Sequence, residues 1–261
     1  MPDWKTDAAE LATQYGDSAN LSARVQLHDR FSTADVDLRE WIFQQMELPA
    51  ASRILSLGCG DGDLWPDVRE SIPASWDLVL TDRSPEMVTE ASERVAASRP
   101  GTAVAQVDAR SIPFHGSTFD AVTANHMLYH VPDRERAIAE IADVLRPSGT
   151  LYATTNGAGH MAEVLDVIDA CVDGDVARPS NFTLENGRAQ LRRSFETVES
   201  ATYPGSLRVP EMDPLVAYAL SRPEFSREHV AEFVERVRER SEDGVFEITK
   251  NTGLFVATDP Q

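Results

Sequence analysis

The chain of 261 residues carries 24 basic and 43 acidic side chains, a net charge of −19 at neutral pH, and 42% of its residues are hydrophobic. That apolar share is enough for a core and excludes wholesale disorder, while the acidic excess repels a nucleic-acid backbone rather than recruiting it. Two cysteines, Cys59 and Cys171, are too few for a disulfide scaffold, and no run reaches the roughly 18 apolar residues of a membrane span. The opening MPDWKTDAAE has acid and no apolar run, so no signal peptide is expected and the cytoplasm is the expected location.

Lys5 and Lys250 are the only lysines, so nearly all positive charge is arginine. Concentrated salt screens repulsion over about 3 Å at 1 M, which keeps so acidic a surface compact. The composition is therefore read as halophilic, against the alternative of an ordinary acidic enzyme from a GC-rich genome.

Residues 1–50 are expected to form an N-terminal helical cap, with apolar faces at Leu21, Val25, His28 and then Val36, Trp41 and Phe43. From residue 51 to 157, short apolar runs alternate with helical patterns, as in βαβ units around a parallel sheet. Arg53–Leu57 reads as the first strand, breaking into Gly58-Cys59-Gly60-Asp61-Gly62, with a helix through Ser71. Asp77–Asp82 is the second strand. Ser84 and Pro85 then start a helix as N-cap and first residue, and Met87, Val88, Ala91 and Val95 repeat at helical spacing. Thr102–Val107 and Phe119–Ala124 are further strands. Asp133 caps a helix striped by Ile138, Ile141 and Leu145, and Thr150–Thr155 is the fifth strand. Residues 158–261 read as the remainder of the same domain. They hold helices near 160–172 and 184–194, a strand near Thr197–Tyr203, a two-helix insertion over 212–241, and a closing hairpin of Val245–Thr249 with Leu254–Ala257.

Gly58-x-Gly60-x-Gly62 lies between strand and helix, where glycine permits a tight turn and helix N–H groups meet a ligand. Asp82 ends the next strand, and its carboxylate can accept from both hydroxyls of a ribose. Asp108 ends the third, where a carboxylate accepts from an exocyclic amine while the N–H of Ala109 faces a ring nitrogen. Three strand ends with ligand-like groups along one sheet edge form a nucleoside crevice.

LSLGCGDG, LTDRSPEM, VDARSIPF, FDAVTANHMLYHV and VLRPSGTLYATTNG, in that order, resemble the class I S-adenosylmethionine-dependent methyltransferases. The likeness is greatest to the small-molecule group that includes the ubiquinone and menaquinone biosynthesis C-methyltransferases. It spans residues 50–157 and implies a Rossmann-like, doubly wound, mostly parallel seven-stranded sheet whose last strand is antiparallel, supplied by the hairpin. It also implies an S-adenosylmethionine-binding core over 51–157, with S-adenosylhomocysteine as product. Gly58, Gly60 and Gly62 would cradle the methionine part and Asp82 the ribose. Arg83 and Met87 would lie beside the adenosine, Asp108 and Ala109 would read the adenine, and Asn125 would lie under the methionine end. Tyr15 and the segment Arg24–Phe31 would fold over the site as a lid. The family's usual acid is replaced here by Ser56, so the donor's ammonium would turn to Asp61 or Asp63.

Methyl transfer to a small-molecule acceptor needs in-line geometry in a dry pocket, and a base only if the acceptor must lose a proton. His126 and His130, after the fourth strand, are the candidate bases, with Tyr129 as an orienting group and His160 as a further pocket residue. Two histidines four apart without a third ligand make a metal site an unfavoured reading. The alternatives are an NAD-dependent oxidoreductase, which GxGxG in place of GxGxxG disfavours, and a non-catalytic S-adenosylmethionine-binding module. Acceptor identity and oligomeric state leave no signal in the sequence.

Overall fold

A computed structural model describes residues 18–173, 176–178 and 181–261. The chain divides into two compact units that interleave along the sequence. One comprises 38–157, 180–203 and 252–261; the other comprises the described residues of 1–37, 158–179 and 204–251. One division coincides with the sequence boundary at 157, whereas none falls at 50. Residues 38–50 join the larger unit, and the stretch after 157 is shared by both.

The larger unit begins with α2 (Leu38–Gln44), after α1 (Ser18–Phe31) of the smaller one. Its sheet consists of β1 (Arg53–Leu57), β2 (Asp77–Asp82), β3 (Ala103–Gln106), β4 (Phe119–Asn125), β5 (Leu145–Asn156), β6 (Phe195–Thr202) and β9 (Thr252–Pro260). The spatial order is β3-β2-β1-β4-β5-β9-β6, with β9 antiparallel to both neighbours. This is the doubly wound, seven-stranded sheet the resemblance implies. β1 and β4 are buried on both faces, as parallel strands covered by helices must be.

The helices start where local chemistry starts them. Ser84 accepts the Met87 N–H at 3.3 Å and Pro85 takes the first position of α4 (Pro85–Ser98). Asp133 accepts the Arg136 N–H at 3.3 Å to open α5 (Arg134–Val144). α5 buries Ile138 and Ile141 in one core cluster against Phe119, Leu151 and Phe255. A second cluster on the other side gathers Ile42, Trp65, Trp76, Leu78 and Leu254.

Two expectations are corrected. The helix after the glycine loop, α3, spans only Leu64–Asp67. Beyond it, Arg69 and Ser71 donate to carbonyls three residues back, the tighter spacing of successive turns. The closing segments do not pair as a hairpin. β8 (Phe246–Thr249) pairs antiparallel with β7 (Ser206–Val209) in the smaller unit, whereas β9 enters the main sheet. Their burial patterns give the reason. β8 alternates buried and exposed, as a ribbon covering one core does, while Thr252–Phe255 is buried at every position, which suits a strand with neighbours on both edges.

The smaller unit joins α1, α6 (Ala162–Asp169), α8 (Met212–Leu220) and α9 (Val230–Arg240) to that ribbon; the short α7 (Gly187–Leu191) belongs to the larger unit. Its core includes Leu27, Phe31, Val164, Ile168, Leu207, Phe233 and Ile248. Within it, His28 and His160 stack with ring centroids 5.6 Å apart.

Candidate functional site

The carboxyl-terminal edge of β1, β2, β3 and β4 gathers most of the site residues read from the sequence. Gly58, Gly60 and Gly62 have φ of +64°, +57° and +78°. Side chains at Gly58 and Gly60 would meet different fates. A Cβ on Gly58 would lie 2.8 Å from Met127 Cβ and 2.9 Å from its Cγ, so glycine is required there by packing as well as by conformation. A Cβ on Gly60 would meet nothing within 4 Å. Open space therefore lies beside the Gly60 Cα.

Asp82 ties this loop to the next strand. Its Oδ2 accepts the Gly60 N–H and its Oδ1 the Ser84 N–H, each at 2.9 Å. Two fixed backbone donors hold the carboxylate, and each oxygen keeps a lone pair for a hydroxyl. Val107 donates to the Asp82 main-chain carbonyl at 2.9 Å, setting the end of β3 against that of β2. Just beyond lie Asp108 and the buried Ala109. Asp108 is bound by Arg110: Nε donates to Oδ1 at 3.0 Å, Nη2 to Oδ2 at 2.7 Å, and the Arg110 backbone N–H to Oδ1 at 2.9 Å. The guanidinium holds this carboxyl down at about 2. Met87, in the first turn of α4, is buried and Arg83 is exposed.

At the end of β4, Thr154 of β5 organises the turn. Its hydroxyl donates to Asn125 Oδ1 at 3.1 Å, and the His126 N–H reaches both that hydroxyl and the Thr154 carbonyl at 3.1 Å. His126 has φ +51°, left-handed backbone that costs a non-glycine residue of order 1–3 kcal/mol and clusters at functional sites. A 3₁₀ turn over Leu128–His130 follows, with the Tyr129 ring 4.4 Å from that of His130 and 6.3 Å from that of His126. Asn125, His126, Tyr129 and His130 thus share one turn. Tyr15 lies outside the described residues, and Arg24–Phe31 forms the end of α1 in the smaller unit.

Ser56 is buried, its hydroxyl accepting from Thr123 at 3.2 Å. The two loop acids offered as substitutes are both ion-paired: Asp61 with Arg94 at 2.6 Å, Asp63 with Arg39 at 2.7 Å. Burial and the neighbouring Asp63 push the Asp61 carboxyl up, opposed by Arg94. Burial, with the negative charge of Asp82, drives the Cys59 thiol far above its usual range. Among the described residues, no three His, Cys, Asp or Glu side chains come together to hold a metal ion.

The sequence reading missed Arg110, Met127 and Thr154. Thr154 had a signal: it stands in register with Asn125, so counting from the strand ends pairs them. Arg110 and Met127 act through side-chain contacts that no periodicity reports.

In an open, doubly wound sheet with this strand order, ligands bind along the carboxyl ends of the strands, where the glycine turn after β1 and the acid ending β2 lie. Residues 54–149 match the family model for a methyltransferase domain. The demethylmenaquinone methyltransferase of Thermus thermophilus is 32% identical over 136 residues, 51% of this chain and 61% of that protein. The 27-O-demethylrifamycin SV methyltransferase of Amycolatopsis mediterranei is 32% identical over 122 residues, 45% of this chain and 43% of that protein. The matches thus span less than two thirds of either relative. Among solved structures, the 4+2 cyclase SpnF superposes with a TM-score of 0.64 at 17% identity, covering 99% of this chain and 97% of that one. A putative methyltransferase from Bacillus halodurans gives 0.61 at 16%, covering 86% and 99%.

Proposed function

We propose that the protein transfers a methyl group from S-adenosylmethionine to a small-molecule acceptor, in a pocket that excludes water. The observation that carries this reading is the open cradle at Gly60, whose N–H is fixed to Asp82 across the ends of β1 and β2. The donor set fits a nucleoside: an acceptor-only carboxylate at Asp82 for two ribose hydroxyls, and a second at Asp108 with Ala109 for the base. Gly58, Gly60 and Gly62 hold the amino-acid end, Met87 and Arg83 flank the adenosine, and Asn125 lies at the methionine end. With Ser56 neutral and both loop acids ion-paired, hydroxyl and backbone groups hold the ammonium. When bound, S-adenosylmethionine supplies an already activated sulfonium methyl, so the protein's task is positioning.

His126 and His130 take the acceptor's proton where it has one to lose. Tyr129, whose ring lies near both of theirs, orients them. The charge of −19 supports a protein that works without nucleic acid and in concentrated salt. No helix among the described residues is long and apolar enough to cross a membrane, in keeping with a cytoplasmic enzyme.

Calorimetric titration with S-adenosylhomocysteine and with NAD tests the donor site; uptake of NAD alone would overturn the assignment. Incubation with methyl-labelled donor and a panel led by demethylmenaquinone and 27-O-demethylrifamycin SV then tests transfer. Donor binding with no labelled product from the panel or a metabolite extract would mark a sensor module instead.

A further inference from the structure

Two carboxylates close the nucleoside edge, and the structure treats them differently. Asp82 is held by backbone donors alone and forms no salt bridge among the described residues. Asp108 is held by a guanidinium fork. With Nε shared between its two oxygens at 3.0 and 3.3 Å, Nη2 at 2.7 Å and its own turn's N–H at 2.9 Å, most of its lone pairs are taken.

The Arg110 side chain has no second hydrogen-bonding partner among the described residues, and the turn does not depend on it. Ser111 N–H donates to the Asp108 carbonyl at 2.9 Å, and Ile112 N–H to Glu140 Oε2 at 2.9 Å, pinning the backbone on both sides. The pair is also accessible, with side-chain exposures of 34% for Asp108 and 38% for Arg110. A fork on a pinned turn, part-exposed and tied to one acid, opens by side-chain rotation alone.

We propose that Arg110 is a latch on the base-reading position: its guanidinium occupies Asp108 and must swing away before that carboxylate can accept an exocyclic amine. The proposal rests on the nucleoside-binding reading above. Because ligand binds only the open form, apparent affinity is lowered by the fraction of time the latch is open. A part-exposed ion pair of good geometry holds the closed form by a factor of about five. Salt screens such a pair, its range falling from about 10 Å at 0.1 M to about 3 Å at 1 M. Donor binding is thereby coupled to ionic strength through one residue.

The test compares the full-length protein with Arg110→Ala and Arg110→Lys, each checked for a cooperative unfolding transition. Calorimetry measures S-adenosylhomocysteine and its 6-oxo analogue, S-inosylhomocysteine, at 0.1 and 1 M NaCl. Arg110→Ala should bind S-adenosylhomocysteine about fivefold tighter at low salt, with no gain for the 6-oxo analogue, and Arg110→Lys should fall between. Raising salt should tighten binding to the parent chain and leave Arg110→Ala unmoved. Equal affinity in parent and Arg110→Ala, weaker binding in the variant, or an equal gain for both ligands would overturn the latch while leaving the site assignment standing. Failure of S-adenosylhomocysteine to bind any of the three proteins would remove both.

Discussion

Alanine at Gly58 and at Gly60 should separate the loop's structural role from its binding role. Both positions have left-handed backbone, φ +64° and +57°, which costs an L-residue about 1–2 kcal/mol. At Gly58 the new methyl also meets Met127 Cβ and Cγ at 2.8 and 2.9 Å, atoms near the backbone that cannot swing clear. Overpacking of that kind adds about 1–3 kcal/mol, for a total of roughly 2–5 kcal/mol. At Gly60 the methyl meets nothing, so only the conformational cost of about 1–2 kcal/mol applies. At roughly 2–4 °C per kcal/mol, Gly60→Ala should melt only a few degrees low and Gly58→Ala distinctly lower. Binding should run the other way for each degree lost. The Gly60 methyl fills the space through which a ligand reaches the backbone, so Gly60→Ala should stay folded and lose S-adenosylhomocysteine binding by at least about tenfold, a difference of roughly 1.4 kcal/mol. Thermal unfolding and calorimetry on the two variants check this. A folded Gly60→Ala protein that binds like the parent would refute the cradle.

Thr154→Val, which keeps shape but removes the hydroxyl serving Asn125 and His126, should cost about 1 kcal/mol in stability and lower kcat more than donor affinity; an unchanged kcat in the labelled-methyl assay would count against the turn's role. The Asp108 carboxyl, depressed to about 2 in the folded chain, adds stability that is complete above its ordinary value near 3.8 and is lost as pH falls through 2. Because the pair is part-exposed, that contribution should stay below about 1 kcal/mol, and Arg110→Ala should flatten this part of the acid-unfolding profile. Unfolding in low and molar NaCl should show higher stability in salt, as screening relieves the repulsion of a net charge of −19; equal stability in both would remove the halophilic reading.

Local signals accounted for the elements that could be read in the chain. Serine before Pro85 and aspartate before Arg134 satisfy helix N–H groups within one turn, so both helix starts were legible. The apolar runs of β1, β2 and β4 and the glycines after β1 fixed the parallel core, and the acids at the ends of β2 and β3 marked its edge. The tertiary structure alone decided matters that join residues far apart. β8 and β9, adjacent in sequence, parted company because one covers a single core face and the other is buried throughout. Met127 dictates Gly58 across 69 positions of chain, and Thr154 sets the backbone of His126 from the neighbouring strand. Whether a carboxylate stands open, like Asp82, or closed, like Asp108, depends on where one guanidinium packs. Spacing and periodicity encode which face is buried and where a turn falls; partnership across the fold is settled only when burial brings the partners together.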